Sequence, residues 1–146
     1  MKYDKKAFKE VLEPHHKTYW KIAYTKLQRK MQSLKSSLKK RSEISEVIFD
    51  ITMDDLRDMF YHKYGKSCKY CRRKMVYRNM VCDHIIPLAK GGDSIKENLQ
   101  LICKSCNTRK GPLDEKDFEE LILWVETLKD ETKEYVLRKL AKGGRY

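Results

Sequence analysis

Cys68-Lys69-Tyr70-Cys71 opens a stretch that Cys103-Lys104-Ser105-Cys106-Asn107 closes, and between them run Asp83-His84-Ile85-Ile86-Pro87 and Asn98. Two C-x-x-C pairs supply four thiolates, the donor set of a closed tetrahedral zinc site, which leaves no coordination position for chemistry. The reactive groups must therefore be other residues of the stretch. Asp83 and Asn107 offer oxygen ligands to a hard ion such as Mg²⁺ or Mn²⁺. His84, with an ordinary imidazole pKa of about 6.5, offers a general base near neutral pH. Lys90, Arg109 and Lys110 are candidate phosphate-binding cations. Met75-Val76-Tyr77 and Met80-Val81-Cys82 read as a hairpin around Arg78-Asn79, residues 98 to 102 as the strand pairing with the second run, and residues 104 to 110 as a short helix. Asp83 and Asn107 converge only if that helix packs face to face on the strands, a crossing the zinc would staple.

Cys68-x-x-Cys71, Asp83-His84-Ile-Ile-Pro-Leu-x-Lys-Gly-Gly, Glu97-Asn98-Leu99 and Cys103-x-x-Cys106-Asn107-x-x-Lys110-Gly111 resemble the HNH endonucleases, particularly the small phage and bacterial kind with a zinc-bound core. The resemblance covers residues 68 to 111 and implies an α+β fold: a ββα-metal (His-Me finger) core stapled by a four-cysteine zinc site, flanked by N-terminal and C-terminal helices. It implies His84 as the base, Asp83 and Asn107 as ligands of a catalytic Mg²⁺ or Mn²⁺, and Asn98 as the residue that orients the catalytic loop or the His84 ring. The third letter of the family's name is often histidine, and Asn107 stands there, an HNN variant that bears on metal preference. The expected activity is hydrolysis of DNA phosphodiester bonds, by nicking or double-strand cleavage, and the resemblance extends to partnership with a phage packaging terminase.

The 146 residues carry a formal charge of +12, spread unevenly. Residues 1 to 41 hold 13 Lys/Arg against 3 Asp/Glu (+10), and residues 42 to 146 hold 20 against 18 (+2). The division drawn from this is a basic amphipathic helical arm over 1–41 and a nuclease domain over 42–146, with its core at about 66–112 and C-terminal helices at about 114–142. A basic arm points to a nucleic acid or an anionic surface as partner. No apolar run approaches a spanning helix and no signal-peptide stretch opens the chain, so the expectation is a soluble protein of the bacterial or phage-infected cytoplasm with no membrane partner. Five cysteines in a reducing compartment read as metal ligands, with Cys82 left over as a small buried residue.

Within the arm, residues 4 to 13 read as a helix that Pro14 interrupts. Trp20, Tyr24, Leu27, Met31, Leu34 and Leu38 then fall at steps of four and three, a heptad stripe with lysines around it. The stripe either docks on the protein's own core or forms a coiled-coil homodimer, and the basic side is free for DNA in both cases. Residues 42 to 51 are open between strand and helix. Thr52 is an N-cap with Asp55 three positions on, starting a helix over about 53 to 64 that Gly65 stops. His15, His16 and His62 read as packing or surface residues, since the zinc already has four cysteines. Asp114 is a helix N-cap, Leu121, Ile122, Trp124, Val125 and Leu128 read as a core face, and a last helix over 131 to 141 ends at Gly143-Gly144.

Two other classes use the same residues. In a non-catalytic zinc DNA-binding module, the knuckles and arm bind DNA while Asp83 and His84 are incidental. In a C-x-x-C thiol oxidoreductase the cysteines are the chemistry, but two pairs separated by strands suit a clamp better than a redox site.

Overall fold

A computed structural model describes residues 2–142. The Gly143-Gly144 stop lies outside the described residues. Helix α1 (Lys5–His16) begins at Asp4, whose carboxylate accepts from the Ala7 amide at 2.9 Å. It runs through Pro14 and breaks at Lys17, where φ is 51°. Proline costs this helix one hydrogen bond in its last turn, and the burial of Phe8 and Leu12 holds the helix past it, so the expected break moves three residues on. A 3-10 turn at Lys17–Tyr19 leads into α2 (Trp20–Ile44). On α2, Ala23, Leu27, Met31, Leu38 and Ser42 are buried, with Trp20, Tyr24 and Leu34 at the rim of the same cluster.

The heptad stripe thus docks on the chain's own core. Phe8, Leu12, Leu27, Met31 and Leu38 share one apolar cluster with Leu56, Phe60, Met75, Met80, Ile102 and Phe118. A homodimer through that stripe has no apolar face left to bury. Residues 42 to 51 resolve into the last turn of α2, a turn, and β1 (Phe49–Asp50). Helix α3 (Met53–Lys63) starts with the expected capping box: Thr52 accepts from the Asp55 amide, and Asp55 accepts from the Thr52 amide. Gly65, at φ 76°, ends the passage to the first knuckle in a conformation that favours glycine.

Strand β2 (Met80–His84) pairs antiparallel with β4 (Leu99–Cys103), from Met80 opposite Cys103 to His84 opposite Leu99. β1 pairs in parallel with β3 (Ser94–Ile95). Met75-Val76-Tyr77 does not form the expected hairpin. Met75 bonds backwards instead, to Gly65 and Lys66 across the first knuckle, and Asn79 closes a tight turn by accepting from the Val76 amide at 2.8 Å and donating to the Lys74 carbonyl at 3.0 Å. Helix α4 (Lys104–Lys110) follows the second knuckle and packs on β2 and β4, completing a ββα unit. Asp114 caps α5 (Glu115–Glu126), and α6 (Asp130–Ala141) closes the described chain. On α5 the buried residues are Phe118 and Val125, with Leu121 and Ile122 at the edge. Trp124, expected in that face, is 53% exposed, because it lies one position off the 118–121–125 spacing. Among the described residues no helix is long and apolar enough to cross a membrane.

Candidate functional site

The four cysteines converge. Cys68, Cys71, Cys103 and Cys106 place their sulfurs within 4.8 Å of one another, with Cys71 and Cys103 3.4 Å apart. A zinc–sulfur bond of about 2.3 Å implies tetrahedral sulfur–sulfur edges of roughly 3.8 Å, so the cluster has the size of that site. Backbone amides already point at the sulfurs: Cys103 N toward Cys68 Sγ at 3.5 Å and Cys106 N toward Cys103 Sγ at 3.4 Å. Without a cation the group is costly. The Cys106 thiol is pushed up by its hydrogen bond to Cys68 and by burial, and Cys103 is pushed up by burial, while Cys68 alone is held low as acceptor of the Cys106 proton. Four sulfurs this close together are the donor set that a divalent cation would hold. Cys82 stands apart, half-buried on β2, and burial pushes its thiol up to about 12.

The clamp sits at one end of the β2–β4 pair, and Asp83 and His84 sit at the other. Successive residues of a strand face opposite sides, and these two find different neighbours. Asp83, 7% exposed, faces α4: Lys110 Nζ lies 3.0 Å from one carboxylate oxygen and 3.3 Å from the other, and Gln100, its cross-strand partner, donates at 3.0 Å. Lys110 also donates to the His84 carbonyl at 3.0 Å. Expected as a surface phosphate binder, Lys110 is 1% exposed and spends its charge inside the protein, since a buried ammonium is tolerated only against a carboxylate. Asn107 lies one helical turn before Lys110 and so shares its side of α4.

His84, also 7% exposed, points the other way, with Nε2 2.9 Å from Ser94 Oγ. Nδ1 makes no hydrogen bond among the described residues. Among the described residues the fully buried side-chain nitrogens and oxygens without a partner are Gln28 Nε2 and Arg109 Nε, and His84 Nδ1, not being one of them, keeps some solvent exposure. Burial lowers the His84 pKa below its ordinary value, Arg41 and Lys110 add to the fall, and Asp83 opposes it. The ring is therefore a neutral base near pH 7.

Asn98 ties down the excursion from Ile86 to Ser94. Its Oδ1 accepts from the Ile86 amide at 2.9 Å, and its Nδ2 donates to the carbonyls of Ile86 at 3.0 Å and Asp93 at 2.8 Å. Gly92 lies against the same pair: a Cβ there would run into the Ile86 carbonyl and come within 2.9 Å of Asn98 Nδ2. Lys90 is half exposed and held by Asp114 and Asp117, at 3.7 and 3.5 Å. Arg109 is partly buried with an unpartnered Nε. Sequence reasoning passed over Ser42, Ser94 and Gln100. A polar residue opposite Asp83 in the strand pair was the one available signal, and it identifies Gln100 alone.

Residues 68–113 match the family model for HNH endonucleases. A stretch of 46 residues is 40% identical to a CRISPR-associated endonuclease Cas9 from Corynebacterium diphtheriae, covering 31% of this chain and 4% of that protein. The crystal structure of the Type II-C Cas9 enzyme from Actinomyces naeslundii aligns with a TM-score of 0.39 at 23% identity, over 79% of this chain and 13% of that one. The chain thus spans a small fraction of the length of these relatives. The family match thus falls on the segment that holds the cysteine cluster, the antiparallel pair and the crossing helix.

Proposed function

We propose that the protein is a metal-dependent DNA endonuclease that hydrolyses phosphodiester bonds, with His84 as general base and a Mg²⁺ or Mn²⁺ ion held by Asp83 and Asn107. The observation that carries the reading is the pairing at the end of β2: a buried imidazole whose Nδ1 makes no hydrogen bond among the described residues, next to a buried carboxylate. The His84 ring can take a proton from water at Nδ1 because burial and the neighbouring Arg41 keep it unprotonated near neutral pH. The donor chemistry of Asp83 and Asn107 fits a hard cation, and Lys110 and Gln100, both bonded to the Asp83 carboxylate, mark it as a focus of negative charge. A divalent ion there supplies Lewis-acid stabilisation of the charge that builds on the phosphate and the leaving oxygen. Zinc would be structural, held by the four cysteines, which fix β4 and α4 to the first knuckle. Asn98 would keep the loop after His84 in place. Lys17, Lys21, Lys26, Arg29, Lys39, Lys40 and Arg41, all exposed on and before α2, would bind phosphates.

One observation favours the other reading, a zinc module that binds DNA without cutting it: the Asp83 carboxylate is already neutralised by Lys110. Incubating plasmid DNA with the protein plus EDTA, Mg²⁺ or Mn²⁺ separates the two on a gel. Relaxed or linear product that requires the ion, and that His84→Ala abolishes, supports the nuclease. Retarded but uncut plasmid under every condition supports the binding module.

A further inference from the structure

The polar chain behind His84 has a proton order that can be worked out. Ser42, on α2, and Ser94, on β3, are both 0% exposed, so neither hydroxyl can turn to water. Ser42 Oγ has two oxygen neighbours, the Leu38 carbonyl at 2.6 Å and Ser94 Oγ at 2.7 Å. A hydroxyl has one proton and a carbonyl can only accept, so Ser42 donates to Leu38. The Ser42–Ser94 contact must then be made by the Ser94 proton. That leaves Ser94 Oγ with only lone pairs toward His84 Nε2 at 2.9 Å, and a hydrogen bond there requires a hydrogen on Nε2.

We propose that Ser42 and Ser94 are positioning residues that fix His84 as its Nε2–H tautomer, so that its basic lone pair lies on the solvent-reached Nδ1. The proposal rests on the reading of His84 as general base, and it adds a residue from outside the HNH segment, Ser42, to the machinery of that base. The device depends on direction. The Leu38 carbonyl, at the end of the chain, cannot be reversed, and this sets every proton up to the imidazole. Removing the Ser42 hydroxyl frees the Ser94 proton, which can then point at Nε2. The stable neutral ring becomes the Nδ1–H form, with no lone pair on the exposed nitrogen.

The test is ¹⁵N NMR of the imidazole nitrogens in the zinc-loaded full chain labelled at histidine, where four histidines keep assignment simple and a His84→Ala spectrum identifies the signals. The wild-type protein should show His84 protonated at Nε2. Ser42→Ala and Ser94→Ala should populate the Nδ1–H form, and with Mg²⁺ their kcat on plasmid should fall about tenfold to a hundredfold at unchanged KM. That loss is smaller than the ~10²–10⁴-fold of removing the base, because the competent tautomer persists as a fraction. Zinc content and melting temperature separate this from misfolding; if Ser42→Ala fails to fold, the wild-type tautomer and Ser94→Ala still decide. An Nδ1–H ring in the wild type, or wild-type tautomers in both serine variants, overturns the proposal. An active His84→Ala enzyme overturns the base assignment, and the catalytic part of the serines with it, while the tautomers still read as drawn, so the two failures are distinguishable.

Discussion

Deleting residues 1 to 41 should unfold the protein, although the charge pattern alone suggests that it would merely trim away a DNA-binding arm. Phe8, Leu12, Leu27, Met31 and Leu38 are each at most 1% exposed and face the same cluster as Leu56 and Phe60. Full burial of such a side chain contributes about 1.5–3 kcal/mol, so the five together contribute roughly 8–15 kcal/mol. A domain of this size holds about 5–15 kcal/mol in all. The deletion also leaves Leu56 and Phe60 facing water. The truncated chain, saturated with zinc, should therefore lose its cooperative thermal transition and its near-ultraviolet circular dichroism, even if the knuckles still take up metal. The charge is tested without damage to the core by Lys21→Gln, Lys26→Gln, Lys39→Gln and Lys40→Gln together, all at exposed positions. A truncated chain that melts cooperatively within a few degrees of the full one would refute the reasoning, because the buried stripe would then contribute almost nothing.

The lysine-to-glutamine protein should bind DNA more weakly, and its slope of log K against log salt should be shallower by about 3–4, near 0.9 for each phosphate contact removed; an unchanged slope places the DNA elsewhere. Elemental analysis should find one zinc per chain, and Cys103→Ser should lose both metal and fold, since such sites contribute on the order of 10 kcal/mol at neutral pH. Cys82→Ser, outside the cluster, should keep both. His84→Ala should keep zinc and DNA affinity while cutting falls at least a hundredfold at any metal concentration, whereas the defect of Asp83→Ala or Asn107→Ala should lessen as Mn²⁺ is raised. Asn98→Ala removes three hydrogen bonds, worth about 1 kcal/mol each. Gly92→Ala drives a Cβ into the Ile86 carbonyl. Both should lower the melting temperature and slow cutting together, and a Gly92→Ala protein of wild-type stability would show that the loop yields at little cost.

What could be read from the sequence was local chemistry. The cysteine spacing, the Thr52–Asp55 capping box, α4 and the Asp114 cap each depend on residues within a few positions of one another, and each stands in the structure as expected. Several misreadings come from partners distant in sequence. Met75 looks like a strand residue, but its backbone groups are taken by Gly65 and Lys66. Lys110 looks like a surface cation because its carboxylate is 27 positions away. Ser42 and Ser94 meet only because a two-residue parallel pair, β1 with β3, brings residue 94 beneath the end of α2, and no periodicity announces a contact that short. Phe118 was readable in principle, since 118, 121, 122 and 125 repeat at steps of three, one and three, and starting the stripe at Leu121 let Trp124 take its place.

Strand β2 sends Asp83 and His84 to its two faces. Asp83 is positioned by α4 and β4, both inside the HNH segment, whereas His84 is positioned by Ser94 and, through it, by α2. The half of the site that would hold the ion is thus built within the segment that matches the family model, and the half that would hold the base is completed by a 25-residue helix outside it. Core side chains pack without slack, so α2 cannot shift along its axis without displacing Leu38 and Ser42 together. Leu38 and Ser42 lie on consecutive turns of one helix, and the burial of Leu38 sets the register at which Ser42 meets Ser94. A cavity at Leu38, as in Leu38→Ala, should therefore disturb the His84 tautomer as well as stability, and the same change at Leu12, on α1 and away from the relay, should cost stability alone.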